Sequence, residues 1–299
     1  MRMQEYEFWF VVGSQFLYGP EVLETVARRA AEMADLLNAS GNLPCRMVYK
    51  VTAKTNQEIA DVVREANYDP RCAGIITWCH TFSPSKMWIN GFVNLQKPYC
   101  HFATQYNREI PNEEIDMDFM NLNQSAHGDR EYGFIVARMG IPHEVVAGYY
   151  KHDEVVAKIR QFASVAKAIA YSKSLKVASF GNNMRHVAVT DGDRVESQIK
   201  YGWECNYYAL GDVVDIINEV TEEEIDAKMK EYTDKYTMKT DRIDSVREQA
   251  KYEVGFEKFL KENGIGAFAD TFQDLHGLKQ LPGIAAQNLM GKGIGFGPE

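Results

Sequence analysis

Along the first hundred residues the apolar positions switch repeatedly between a strand period and a helix period. Glu7–Val12 (Glu-Phe-Trp-Phe-Val-Val) is an apolar run of β-forming residues that stops at Gly13, which predicts a strand buried on both faces. Pro20 then stands at a first helical position. Val22, Leu23, Val26, Ala30, Met33, Leu36 and Leu37 recur at helical spacing, predicting a helix through Ala39. The pattern repeats with a strand over Cys45–Val51, a helix capped by Asn56 and running to about Asn67, and strands over Ala73–Cys79 and Pro98–Ala103. A long amphipathic stretch, about His152–Ser172, reads as the hinge between two domains, residues 1–170 and 171–299.

The second half begins a new series. Leu175–Phe180 reads as a strand, Asp193–Tyr201 as a helix, Glu204–Ala209 as a strand and Asp212–Val220 as a helix. Thr221–Lys235 is a charged helix opened by a capping box of Thr221 and Glu224, with its charges predicted to be solvated. A helix over Arg242–Asn263, a strand over Gly266–Thr271 and a helix ending near Met290 complete the series. Recurring strand–helix units predict an α/β class with two doubly wound Rossmann/flavodoxin-like domains and parallel sheets. Such sheets bind ligands beyond the carboxyl ends of their strands. That rule marks the loops Gly13–Gly19, His80–Trp88 and Thr104–Asn107.

Composition narrows the function classes. The 299 residues are 45% hydrophobic and 25% charged, an ordinary globular balance for about two domains. A net charge of -9 argues against nucleic acid or an anionic membrane as partner. No run approaches the roughly 18 apolar residues that span a bilayer. The chain enters its first strand without a signal peptide, which predicts a cytoplasmic protein with reduced thiols. The five cysteines form no CxxC pair, and Cys79 and Cys100 sit in apolar runs as small core residues.

Candidate chemistry lies in polar segments after strands. In Gly13–Pro20 an amide and a phenol stand between two glycines, which taken alone reads first as a strand-to-helix turn with a capping serine. Trp78–Trp88 mixes aromatic rings with hydroxyls, a combination suited to a sugar, whose C–H faces pack on rings and whose hydroxyls need polar partners. His80 reads as a satisfied buried histidine rather than a metal ligand. Asp116–Arg130 carries three amides, a histidine and several charges, a costly set unless it faces a polar ligand or a subunit interface. Phe180–Arg185 and Thr271–Gly283 follow strands in the second half. The closing glycine run, Met290–Glu299, is expected to be loosely held. It follows a helix and leads into none, so it lacks the geometry of a phosphate-binding loop. Cys45, Cys72 and His80 lack zinc-ligand spacing.

In order, the strings Gly13–Pro20, His80–Gly91, Met117–Gly128 and Asp274–Gly283 resemble those of the L-arabinose isomerase family along the whole chain. The resemblance implies interconversion of L-arabinose and L-ribulose, and often of D-galactose and D-tagatose. It implies a three-domain subunit, a cytoplasmic homohexamer with active sites between subunits, and Mn2+ held by two glutamates and two histidines. By position in the motif, Glu299 is the first metal ligand and one acid/base partner, with the other ligands implied beyond it. Substrate contacts carry over to Gln15, Leu17, Tyr18, Phe82, Gln124, His127, Met184 and Phe272, with His127 implied to reach a neighbouring subunit's site. Phe16 stands where many relatives have histidine, and Gly297-Pro298 where many have Ala-Gly. With one carboxylate of the metal set, the 299 residues alone are expected to bind metal weakly and to be inactive. Two other classes compete: a two-domain sugar-binding module, and a regulatory or assembly fragment without catalysis. L-fucose isomerases share the architecture, but their strings match less well.

Overall fold

The structure is a computed structural model that describes residues 5–113 and 115–298. It separates into two compact bodies, one running to Ala170 and one beginning at Tyr171.

The first body is built on strands β1 (Glu7–Gly13), β2 (Arg46–Ala53), β3 (Cys72–Cys79), β4 (Tyr99–Ala103) and β5 (Glu144–Ala147). They form one sheet in the order β2-β1-β3-β4-β5 with parallel pairings throughout, the flavodoxin-like order. β1 and β3 are central, which explains their unbroken apolar sequence: β3 is buried at every position. Helices α1 (Gly19–Ala39), α2 (Asn56–Tyr68), α3 (Ile89–Phe92), α4 (Met117–Leu122), α5 (Ser125–Met139) and α6 (Asp153–Ser172) surround it. α1 buries Val26, Ala30, Met33, Ala34 and Leu37, a stripe at helical spacing. One core joins Trp9, Val11, Ile75, Trp88, Phe92 and Tyr132; on the other side of β1, Phe8 meets Phe162 of α6 with ring centroids 6.0 Å apart.

Two local expectations are corrected here. The cap of α2 is Thr55, whose Oγ1 accepts from the Glu58 amide at 3.1 Å, because Asn56 already has helical geometry. β2 extends to Ala53, two residues past the expected end. The edge strand β5 and the helix α5 carried no sequence expectation of their own.

The second body holds β6 (Lys176–Phe180), β7 (Glu204–Tyr208), β8 (Ala267–Asp270) and β9 (Gly295–Pro298) in the order β7-β6-β8-β9, again parallel. Its helices are α7 (Arg194–Tyr201), α8 (Leu210–Asn218), α9 (Glu222–Lys235), α10 (Ile243–Glu262) and α11 (Gly283–Gly291). A cluster of phenylalanines forms the core: Phe180 lies 5.6 Å from Phe256 and 5.5 Å from Phe259, and Phe256 lies 5.3 Å from Phe268. The Phe180 pairs are edge-to-face and the Phe256–Phe268 pair is stacked, and aromatic pairs of either kind add about 0.5–1.5 kcal/mol each beyond their buried area.

Two findings differ from the sequence reading in this body. The glycine run is not loosely held over Gly295–Pro298, which pairs residue by residue with Ala267–Asp270 as β9. Phe296 packs on Phe268 at 4.8 Å, and Gly295 is tight against β8, where a Cβ would stand 2.8 Å from the Ala267 Cβ. The charged helix α9 is not solvated all round. It buries Ile225, Lys228 and Tyr232 against α10, where Tyr232 donates to Glu253 Oε2 at 2.6 Å and Lys228 Nζ lies 3.4 Å from Glu253 Oε1.

Candidate functional site

In the first body the expected loops converge at the carboxyl edge of β1, β3 and β4. β1 ends in Gly13, where a Cβ would lie 2.6 Å from Ser83 Oγ and 2.7 Å from Trp88 Cζ2. The glycine lets the first loop lie directly against the second. The two loops are joined by a buried hydrogen bond of 2.7 Å between the hydroxyls of Ser14 and Thr81. The second loop in turn holds the start of α5: the Gln124 amide donates to the His80 carbonyl at 3.0 Å, and the Phe82 and His127 rings lie 4.8 Å apart.

The structure sorts the expected substrate residues of this body into two groups. Gln124 and His127 line a cavity of about 650 Å³ together with Asn107, Phe119, Asn123 and Asp129. That volume lies in the usual range for a small-molecule pocket. Phe82 does not line the cavity but packs against His127, which does. Gln15 precedes a 3-10 turn of Phe16–Tyr18, in which Leu17 is 82% exposed. Gln15, Leu17 and Tyr18 do not line the cavity.

Behind the cavity wall lies a polar cluster that the sequence reading half anticipated. His80 is fully buried and stacks on Trp78, with centroids 4.7 Å apart. Its Nε2 accepts from Arg29 at 2.9 Å, while its Nδ1 has no hydrogen-bond partner, so the expected satisfied histidine is satisfied at one nitrogen. Burial, reinforced by the Arg29 charge, pushes His80 down to about 3, so the ring is neutral near pH 7. Arg29 also reaches Asn123 Oδ1 at 3.5 Å and lies over the Tyr106 ring at 4.4 Å. Its signal in the sequence is a charge beside the apolar stripe of α1, between Val26 and Ala30.

A second chain of polar groups opens on the cavity. His101 Nε2 lies 2.7 Å from Asp129 Oδ1, His101 Nδ1 lies 2.9 Å from Thr77 Oγ1, and Thr77 Oγ1 lies 3.1 Å from the Tyr132 hydroxyl. Burial raises the Asp129 carboxyl above its ordinary range, with His101 pulling the other way. Cys79 and Cys100 are free and buried. Burial lifts the Cys79 thiol well above its ordinary value and the Cys100 thiol to about 12, which suits core residues and not nucleophiles.

In the second body the loops after β6 and β8 are tied together. Arg185 donates to Asp274 Oδ1 at 2.7 Å, and its backbone amide donates to Gln273 Oε1 at 2.8 Å. Gly181 has a φ of 80°, and a Cβ there would meet the Asp274 Cβ at 2.9 Å, so the crossing requires glycine. Met184 lies on the first of these loops, half-buried, and Phe272 on the second, 55% exposed. Asp270 closes β8 with its carboxyl buried, one oxygen without a partner, and burial pushing it up to about 6. In register it stands beside Pro298.

Glu299, expected as catalytic residue and metal ligand, lies outside the described residues. Among the described residues no group of three or more His, Cys, Asp or Glu side chains is placed to hold a metal. The described residues therefore do not by themselves fit a manganese ion. Among them, too, no helix is long and apolar enough to cross a membrane.

Comparison with known proteins covers both bodies. Residues 2–174 match the L-arabinose isomerase N-terminal domain and residues 176–299 the L-arabinose isomerase central domain. A curated L-arabinose isomerase of Oceanobacillus iheyensis is 52% identical, over 100% of this chain and 64% of that protein. Those of Clostridium beijerinckii and Thermotoga maritima are 51% and 50% identical, over 100% and 99% of this chain and 61% and 60% of theirs. The chain thus spans 60–64% of the length of these relatives. With its two domain matches in this order along nearly every residue, the chain belongs to the L-arabinose isomerase family.

Proposed function

We propose that this chain supplies the N-terminal and central parts of a cytoplasmic aldose–ketose isomerase that interconverts L-arabinose and L-ribulose, with D-galactose and D-tagatose as a second pair. The observation that carries this reading is the pair of domain matches, supported by identities of about 50% to curated L-arabinose isomerases over the full chain. They favour it over a sugar-binding module or an assembly fragment.

The reaction moves a proton between two adjacent carbons of the sugar, so a base must sit at that edge and the hydroxyls must be held still. In the first body, Gln124 and His127 offer an amide and an imidazole to sugar hydroxyls, and the Phe82 ring braces His127. Gln15, Leu17 and Tyr18 at the end of β1, with Met184 and Phe272 in the second body, complete the proposed substrate contacts. Glu299 is the proposed proton-transfer group and the one proposed Mn2+ ligand in this chain. A homohexamer in which His127 serves a neighbouring subunit is part of the same proposal.

Titration of the chain with L-arabinose, followed by NMR at the His127 and Gln124 side chains, tests the substrate contacts. Saturable shifts at both are expected, and shifts absent up to molar sugar would contradict it. Alone with Mn2+, the 299 residues are expected to yield no L-ribulose.

A further inference from the structure

Within the cavity that Gln124 and His127 line, Asp129 brings a carboxylate that no motif match assigned. The surroundings fix it unusually well. His101 is almost wholly buried and touches Asp129 Oδ1 at 2.7 Å on one side and Thr77 Oγ1 at 2.9 Å on the other. Thr77 is fully buried, and its hydroxyl lies 3.1 Å from the Tyr132 hydroxyl and 3.4 Å from the Cys100 carbonyl. The His101 ring also stacks on Tyr132, with centroids 4.3 Å apart.

Hydrogen-bond bookkeeping gives this chain a direction. A threonine hydroxyl has one proton to donate and can accept two. If imidazole is neutral, Tyr132 donates to Thr77, Thr77 donates to Nδ1, and the ring proton stands on Nε2. If imidazole is protonated, Nδ1–H donates to Thr77, Thr77 turns its proton to the Cys100 carbonyl, and Nε2 again carries a proton. With Asp129 ionised, Nε2–H donates to its carboxylate in both arrangements. One carboxylate oxygen is thereby occupied, and the second belongs to a residue that lines the cavity. A carboxylate that served packing alone would have no need of four buried residues to set its orientation.

We propose that Asp129 is a hydroxyl-binding residue of this cavity, held by the His101–Thr77–Tyr132 chain so that its outer oxygen accepts a hydrogen bond from a polyhydroxylated ligand. The proposal rests on the reading of the cavity as part of the sugar site and adds to it a negatively charged acceptor. Such a contact is charge-assisted and roughly twice as strong as a neutral one. It also selects ligands: a neutral polyol donates to it, whereas a sugar acid meets like charge. His101 and Thr77 are positioning residues that act through Asp129.

The test uses the 299-residue chain with side-chain carboxyl and imidazole isotope labels, titrated with L-arabinose, L-arabinitol and L-arabinonate. The Asp129 carboxyl carbon and the His101 Nε2 are expected to shift with the two neutral compounds along the same saturation curve as Gln124. Asp129→Asn should weaken their binding at least tenfold while narrowing the margin against L-arabinonate, a change of preference that a merely structural role would not produce. Shifts at Gln124 and His127 with Asp129 and His101 silent would overturn the proposal and leave the isomerase reading standing. So would an Asp129→Asn chain, folded by its amide spectrum, that binds all three compounds as the parent does. Silence at all four residues would overturn both.

Discussion

Arg29 donates to the Nε2 of His80 across 2.9 Å, a guanidinium held against a buried neutral imidazole at the carboxyl end of β3. Since arginine can only donate, the His80 proton belongs on Nδ1. The same Arg29 reaches Asn123, and the His80 carbonyl accepts from Gln124, so this pair underlies the junction of α4 and α5 through both side chain and backbone.

Arg29→Met should therefore destabilise the chain by about 1–3 kcal/mol in urea denaturation, the cost of leaving a buried acceptor unpaired. His80 should show the Nδ1–H tautomer in its nitrogen spectrum throughout pH 5–8.

His80 also fixes a pH dependence. Its folded value, about 3, lies below the ordinary value of about 6.5. Between these the unfolded chain holds the extra proton, so His80's contribution to stability is intact above pH 6.5 and is lost as pH falls toward 3. His80→Gln should flatten that part of the stability profile, as read by denaturation midpoints at pH 4.5 and 7.

Asp270 gives the opposite slope. Burial raises its folded value to about 6, so the folded chain holds the extra proton between the ordinary carboxyl value and about 6. Stability from this group is present in acid and is lost as pH rises through about 6. Asp270→Asn should raise the thermal midpoint at pH 8 by more than it does at pH 4.5.

Glu253 anchors the contact between α9, α10 and the end of α11. It is 1% exposed, accepts from Tyr232 at 2.6 Å and pairs with Lys292 at 2.9 Å and Lys228 at 3.4 Å. Glu253→Gln leaves Lys228, 7% exposed, with only the exposed Glu231 at 2.6 Å as counter-charge and weakens the Tyr232 hydrogen bond, and should cost about 1–3 kcal/mol in denaturation.

Much of this architecture is legible in the sequence, and the exceptions share a cause. The central strands declare themselves because both faces are covered, so β1 and β3 are apolar at almost every position. α5 does not, because its buried stripe is Ser125, Gly128, Tyr132 and Val136, helical in spacing but half small or polar. Gly128 sits there because α5 comes close to the end of β3 and the second loop, where a Cβ would lie 3.4 Å from the Cys79 Cβ and 3.7 Å from the Ser83 nitrogen. β9 is hidden in the same way: Gly295 and Gly297 flank Phe296, and Gly295 is small because Ala267 lies against it. β5 has four residues with a single one buried, too short an edge for any period to register.

The candidate site divides along the same line. Gln124, His127 and Phe82 were reached through motif strings, and the structure brings these three together. Arg29, His101 and Asp129 come from a helix face, a strand interior and a helix's first turns. The contacts of Arg29 with His80 and of His101 with Asp129 depend on strand order, which spacing along a chain does not encode.

The most direct test of the proposed function joins residues 1–299 to the remaining part of the Oceanobacillus iheyensis relative and measures L-ribulose formed from L-arabinose with Mn2+ present. The account predicts conversion by the joined protein and a loss of at least a thousandfold in its Glu299→Gln variant. A folded, manganese-loaded joined protein that forms no L-ribulose, or a Glu299→Gln variant that keeps the parent rate, would contradict it.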